Sequence, residues 1–139
     1  MARACNVSKW VTWRSRDQVK ELELPGVYII GKYPTAPFGL DISSKSIIYI
    51  GHTVNALKIR LLKFHYSAFD AKDGHYGGST FNSIFFDGRP GPVPRGLRVC
   101  VIGVYGKEPA RSALIRFLER KYLYKFVQHH DRLPLCNKS

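Results

Sequence analysis

No stretch of this chain stays apolar for long enough to span a bilayer. Its opening run, "MARACNVSKWVTWRSRDQVK", also lacks the continuous apolar segment of a secretory signal. Both absences predict a soluble, cytoplasmic protein. Cysteine is scarce: Cys5, Cys100 and Cys136 are odd in number and far apart, with no Cys-x-x-Cys pair. Neither a structural zinc site nor a disulfide framework is indicated, and reduced thiols suit an intracellular setting. Internal repeats, low-complexity tracts and linkers are missing too. The 139 residues therefore read as a single domain, with 1–24 as a lead-in helix or extension and 25–139 as the main body. The last shortage is of acid. Ten Asp and Glu stand against 22 Lys and Arg, a net charge of +12. On so short a chain this favours a polyanionic partner, nucleic acid ahead of a membrane surface, because no amphipathic helix of membrane type stands out. Charge does not separate DNA from RNA.

What is present suffices for a core, since 45% of residues are apolar and 13% aromatic. "SRDQVKEL" (15–22) reads as a short helix with Ser15 as its cap. After Pro25-Gly26 a strand runs from about Val27 to Gly31. "KYPTAPFGLDISSK" is a loop rich in proline and small polar residues, and "SIIYIGH" (46–52) is a second strand. The two form a hairpin with a long connection, and connections of that length often carry function. From Asn55, a candidate cap, Leu57, Leu61, Phe64 and Ala68 recur at helical spacing. "GHYGGS" closes that helix as a flexible loop. It is no phosphate-binding P-loop, because the lysine and hydroxyl are missing. "TFNSIFFDG" fits helix or strand equally. "LRVCVIGVY" (97–105) is a third strand with Cys100 as a small core residue, and Pro109 opens a helix running to about Gln128. The order predicts an α+β domain, a three-stranded antiparallel sheet flanked by helices.

Several residues do not fit a purely structural reading. Tyr28 and Tyr49 each lie near a glycine on neighbouring strands, and in a hairpin both phenols reach one face of the sheet. Tyrosines in strands are ordinarily packing residues, yet Gly51 leaves backbone exposed for close approach. Arg60, nine residues past Gly51, sits at the edge of the apolar stripe of its helix, where it buries its stem and aims its fork across the sheet. Lys58 and Lys63 flank it as basic groups suited to a phosphate backbone. On the last helix Ile115, Leu118, Tyr122, Leu123 and Phe126 span an arc of about 140°. Glu119 falls inside it, and a carboxylate there is costly unless paired or bound to a cation. His129 and His130 are adjacent, cannot share a site, and read as a solvated helix end.

The ordered set "GVY", "YIG" after a gap of 20 residues, Arg60, Glu119 and the terminal "LPLCNK" resembles the GIY-YIG nuclease superfamily over roughly residues 25–138. That resemblance implies a small α/β sandwich and a metal-dependent endonuclease hydrolysing DNA phosphodiester bonds. It assigns Tyr28 as general base for the attacking water and Tyr49 as a hydrogen-bonding partner near the scissile phosphate. Arg60 becomes the neutraliser of transition-state charge, Glu119 the ligand of one Mg²⁺ (or Mn²⁺), and Asn137 the residue that completes the site. A phenol titrates near 10, so as a base it needs nearby positive charge; Arg60, the metal, and Lys32 or Lys45 are candidates. Several members of the superfamily carry a histidine four residues after the arginine. Here that position is Phe64, and the candidates are His65, about 140° round the helix from Arg60, and His52, directly after Gly51. The alternative function is a catalytically inactive nucleic-acid-binding protein of the same fold. A homodimer would double the reading surface, but no interface is legible.

Overall fold

The computed structural model describes residues 4–138. Its sheet is antiparallel and open. The strands β1 (Cys5–Val7), β2 (Val11–Thr12), β3 (Gly26–Lys32), β4 (Ile47–Thr53) and β5 (Leu97–Val104) form it in the order β1-β5-β3-β4, with β2 also paired to β5. The long strands are apolar on both faces, as strands covered on both sides must be. Five strands replace the expected three because two short N-terminal segments, of three and two residues, add to the otherwise free edge of β5. The lead-in is thus part of the sheet.

Three α-helices cover the sheet: α1 (Leu57–Phe69), α2 (Tyr76–Phe86) and α3 (Ala110–His130). On one face Tyr28, Ile30, Val99 and Val101 meet Leu57, Leu61, Phe64 and Phe81 of α1 and α2, together with Trp13 and Leu22. On the other, Val27, Ile29, Ile50 and Ile102 meet Ile115, Leu118, Leu123 and Phe126 of α3. The helical stripes read from the sequence are the buried ones. Cys100 and Cys136 are buried free thiols, and burial pushes both up to about 12. Among the described residues no helix is long and apolar enough to cross a membrane.

Three local expectations change. The helix at 15–22 is two 3₁₀ turns, Trp13–Gln18 and Lys20–Glu23, broken by extended Val19, and Ser15 caps neither. Trp13 and Val19 are drawn into the core there, which a regular α-helix starting at Ser15 would not do. Helix α1 begins after Ala56 without a side-chain cap. The ambiguous "TFNSIFFDG" is helical as far as Phe86, and "GHYGGS" supplies the cap, His75, and the first turn of that helix rather than a loop.

Candidate active site

The site is built on β4, an edge strand paired regularly with β3 over residues 49–53 and bulged just before them. Ile30 faces Tyr49 and Gly31 faces Ile47, so Ile48 is the extra residue. The bulge shifts the side-chain alternation by one. Ile48 and Tyr49 both pack toward α1 and α2, whereas Ile47 and Ile50 pack toward α3. From Gly26 to Ile30 the pairing is regular, so Tyr49, opposite Ile30, shares the face of Tyr28, and the bulge turns Ile48 onto that face as well. In the same regular stretch Gly51 lies opposite Tyr28, and His52, on the other face, reaches Glu119 of α3.

On the α1–α2 side sits a closed hydrogen-bonded cluster. Tyr28 is fully buried, and its hydroxyl lies 2.6 Å from His75 Nε2. His75, also buried, caps α2: its Nδ1 accepts the Gly78 N–H at 3.1 Å, while its own backbone N–H donates to Ser67 Oγ at 3.1 Å. Burial, and then the charge of Arg60, lower His75 to about 3, so it is neutral near neutral pH. A neutral imidazole has one donor nitrogen and one acceptor. Since Nδ1 accepts, the Nε2 hydrogen is donated to Tyr28 Oη, and the Tyr28 O–H is left to point onward. The next phenol is Tyr49, with ring centroids 5.8 Å apart. Burial raises Tyr28 well above the ordinary phenol value; Tyr49 adds to this, and the Arg60 charge opposes it. Burial raises Tyr49 as well, opposed by hydrogen bonding from Tyr28 and by Arg60.

Glycine makes this closeness possible. A Cβ on Gly51 would lie 2.6 Å from the rings of both Tyr28 and Tyr49, and one on Gly77 would collide with the Tyr49 ring. Either methyl would force the rings apart.

The α3 side is open and charged. Glu119 Oε2 lies 2.7 Å from His52 Nδ1. Glu119 lines a cavity of about 320 Å³ together with Tyr49, Tyr76, Arg120, Asn137 and Lys138. His52 lines an adjoining hollow with Arg60 and Lys63, so the His52–Glu119 bond joins the two. Asn137 closes the edge of β4. Its Oδ1 accepts the Ile50 N–H at 3.0 Å, and its Nδ2 donates to the Ile50 carbonyl at 2.9 Å. The neighbouring Cys136 N–H donates to the Ile48 carbonyl at 2.8 Å. The C-terminal segment thereby does for the edge what a further strand would do.

The structure therefore gathers Tyr28, Tyr49, Arg60, Glu119, Asn137 and His52 around one strand. His65 is elsewhere: it accepts a hydrogen bond from Trp13 Nε1 at 3.0 Å, and its ring is stacked parallel to that indole. Lys63 is exposed on the hollow beside Arg60, and Lys58 is exposed on α1. Lys32 lies over the Phe85 ring, 4.8 Å from its centroid, and Lys45 is exposed at the loop end. Arg60 is the basic group whose charge acts on the two phenols. Sequence reasoning missed His75 and Tyr76. A histidine cap followed by two glycines opposes every usual helix-start signal, and nothing local marks His75 as buried.

Among the described residues no three His, Cys, Asp or Glu side chains cluster as a metal site. A hard cation such as Mg²⁺ needs only one or two carboxylates and keeps several waters. Glu119, mostly buried but on the wall of a polar cavity, fits that mode of binding. No protein-family model, curated protein or solved structure matches the chain.

Proposed function

We propose that this protein is a metal-dependent endonuclease that hydrolyses DNA phosphodiester bonds, of the GIY-YIG kind its motifs resemble. One observation carries the reading. Groups suited to moving a proton (Tyr28, Tyr49), to neutralising phosphate (Arg60) and to holding a cation (Glu119) converge on the edge strand β4 from separate segments of the chain. A packing role needs no such convergence in a chain of net charge +12.

In this reading DNA lies across the edge of β4, its scissile phosphate between Arg60 and Glu119. The tyrosines act as a hydrogen-bonded pair in which Tyr49, as its phenolate, accepts the proton of the attacking water while the Tyr28 O–H donates to the Tyr49 oxygen. Tyr49 lines the cavity and meets the water, while Tyr28, out of solvent contact, receives the His75 hydrogen bond and stands behind it. Arg60 favours the phenolate form of both and stabilises charge on the phosphorane-like transition state. Asn137 holds the Ile50 backbone and so fixes the rim of the cavity. Glu119 would hold Mg²⁺ or Mn²⁺, which when bound would supply Lewis-acid stabilisation of the leaving oxygen.

Nicking of supercoiled plasmid DNA tests the reading. The native chain should cut with Mg²⁺ and stop in chelator, and Glu119→Gln and Tyr49→Phe should each be severely impaired. Equal nicking by all three chains would overturn it. Binding by all three with no cutting would favour the inactive nucleic-acid binder.

A further inference from the structure

Tyr76 is the first residue of α2 and is 81% exposed at the mouth of the candidate site. Among the described residues its ring stacks on no other ring and its hydroxyl makes no hydrogen bond. It nevertheless lines the same cavity as Tyr49, Glu119, Arg120 and Lys138. An aromatic ring left bare at a charged mouth is poorly explained by packing. Other exposed rings, such as Phe117 and Tyr124 on α3, lie outside that cavity.

The backbone beneath Tyr76 is held firmly. On one side His75 is fixed by the Tyr28 hydroxyl, by Gly78 and by Ser67. On the other, Gly77 abuts the Tyr49 ring and Gly78 abuts the Phe64 carbonyl. The ring is thus carried on the same short segment that positions the phenol pair. The cavity, about 320 Å³, is at the small end for ligand sites and admits one nucleotide, not a duplex. Arg120 and Lys138 on its wall supply charge for the flanking phosphates.

We propose that Tyr76 is a stacking platform for an unpaired base beside the scissile phosphate, so that the preferred substrate is DNA with a bulge, flap or branch rather than continuous duplex. The placement beside a scissile phosphate rests on the nuclease reading above. The stacking itself does not. Every base offers a π-face, so such a platform selects unpaired nucleotides without selecting sequence.

The test is binding in chelator, where nothing is cut, to two oligonucleotide duplexes that differ only in whether a 2-aminopurine is paired or bulged. The native chain should bind the bulged duplex roughly tenfold more tightly and quench its fluorescence. Tyr76→Ala should lose both the preference and the quenching while keeping its affinity for the paired duplex. Tyr76→Phe and Tyr76→Trp should retain both. Being so exposed, the position tolerates all three changes without unfolding. No preference in the native chain, or a preference untouched in Tyr76→Ala, would overturn the proposal. Nicking of the same oligonucleotides with Mg²⁺ reads the nuclease proposal separately, so either can fail alone.

Discussion

The two sides of β4 differ in almost every physical respect. On the α1–α2 side, Tyr28 and His75 are buried, uncharged near neutral pH and linked by a hydrogen bond of 2.6 Å, and glycines let Tyr49 close in. On the α3 side, Glu119, His52, Arg120 and Lys138 are charged or chargeable and face open cavities. The division suits two different tasks. A proton moves along a chain of groups only if donors and acceptors keep a fixed order, which a capped helix and a dry pocket enforce. A hydrated cation and a phosphate must arrive from solvent, and their partners must stay accessible. One edge strand, by its ordinary alternation, serves both.

The sharpest way to break that contrast is to remove the charge without touching the dry side. Glu119→Gln should lower Mg²⁺-dependent cleavage by roughly a thousandfold. Its thermal midpoint should stay close to native, because glutamine keeps the shape of the Glu119 side chain, which is only 14% exposed, and its amide can still hydrogen-bond His52. Parallel plasmid assays and melting curves would check this. The reciprocal change crowds the phenol pair. Gly77→Ala drives a methyl into the Tyr49 ring and should cost about 1–3 kcal/mol of stability in urea unfolding. Gly39→Ala, with open space around it, should come through the same experiment without comparable loss.

Acid offers a finer probe. The folded-state value of His75, about 3, lies below the free value of 6.5. Between those limits the unfolded chain binds a proton that the folded chain refuses. This contribution to stability is therefore complete above pH 6.5 and is lost as pH falls, by at most about 1.4 kcal/mol per pH unit. His75→Asn keeps a competent helix cap and should flatten that part of the stability profile in denaturant titrations from pH 7 to 4. The smallest effects belong to the outer basic residues. Lys58→Ala and Lys63→Ala should each weaken DNA binding evenly across sequences and reduce the salt slope by about 0.9 for every phosphate no longer neutralised.

Much of this arrangement was legible in the sequence. The long strands and the apolar stripes of α1 and α3 follow from periodicity alone, and Glu119 betrayed itself as a carboxylate inside an apolar arc. The two tyrosines, Arg60 and Asn137 were found by the order of their motifs. Other parts were hidden for identifiable reasons. β1 and β2 have three and two residues, too short for alternation to register, and they exist only because β5 offers an edge. The bulge at Ile48 depends on the partner strand, and a five-residue step from Arg60 to His65 does not reveal that Trp13 waits on the far side. His75 was obscured by its own neighbours: Gly77 and Gly78 look like a helix breaker, yet they are the residues that let α2 approach Tyr49 and Phe64.

If the two sides of β4 serve one reaction, their contributions to it must be coupled. The decisive measurement is single-turnover cleavage by the native chain, Tyr49→Phe, Glu119→Gln and the double variant at saturating Mg²⁺. Groups acting as a unit are strongly non-additive, so the double variant should be no slower than the slower single one. A double variant whose loss equals the product of the two single losses would contradict a shared site and separate the phenol pair from the carboxylate.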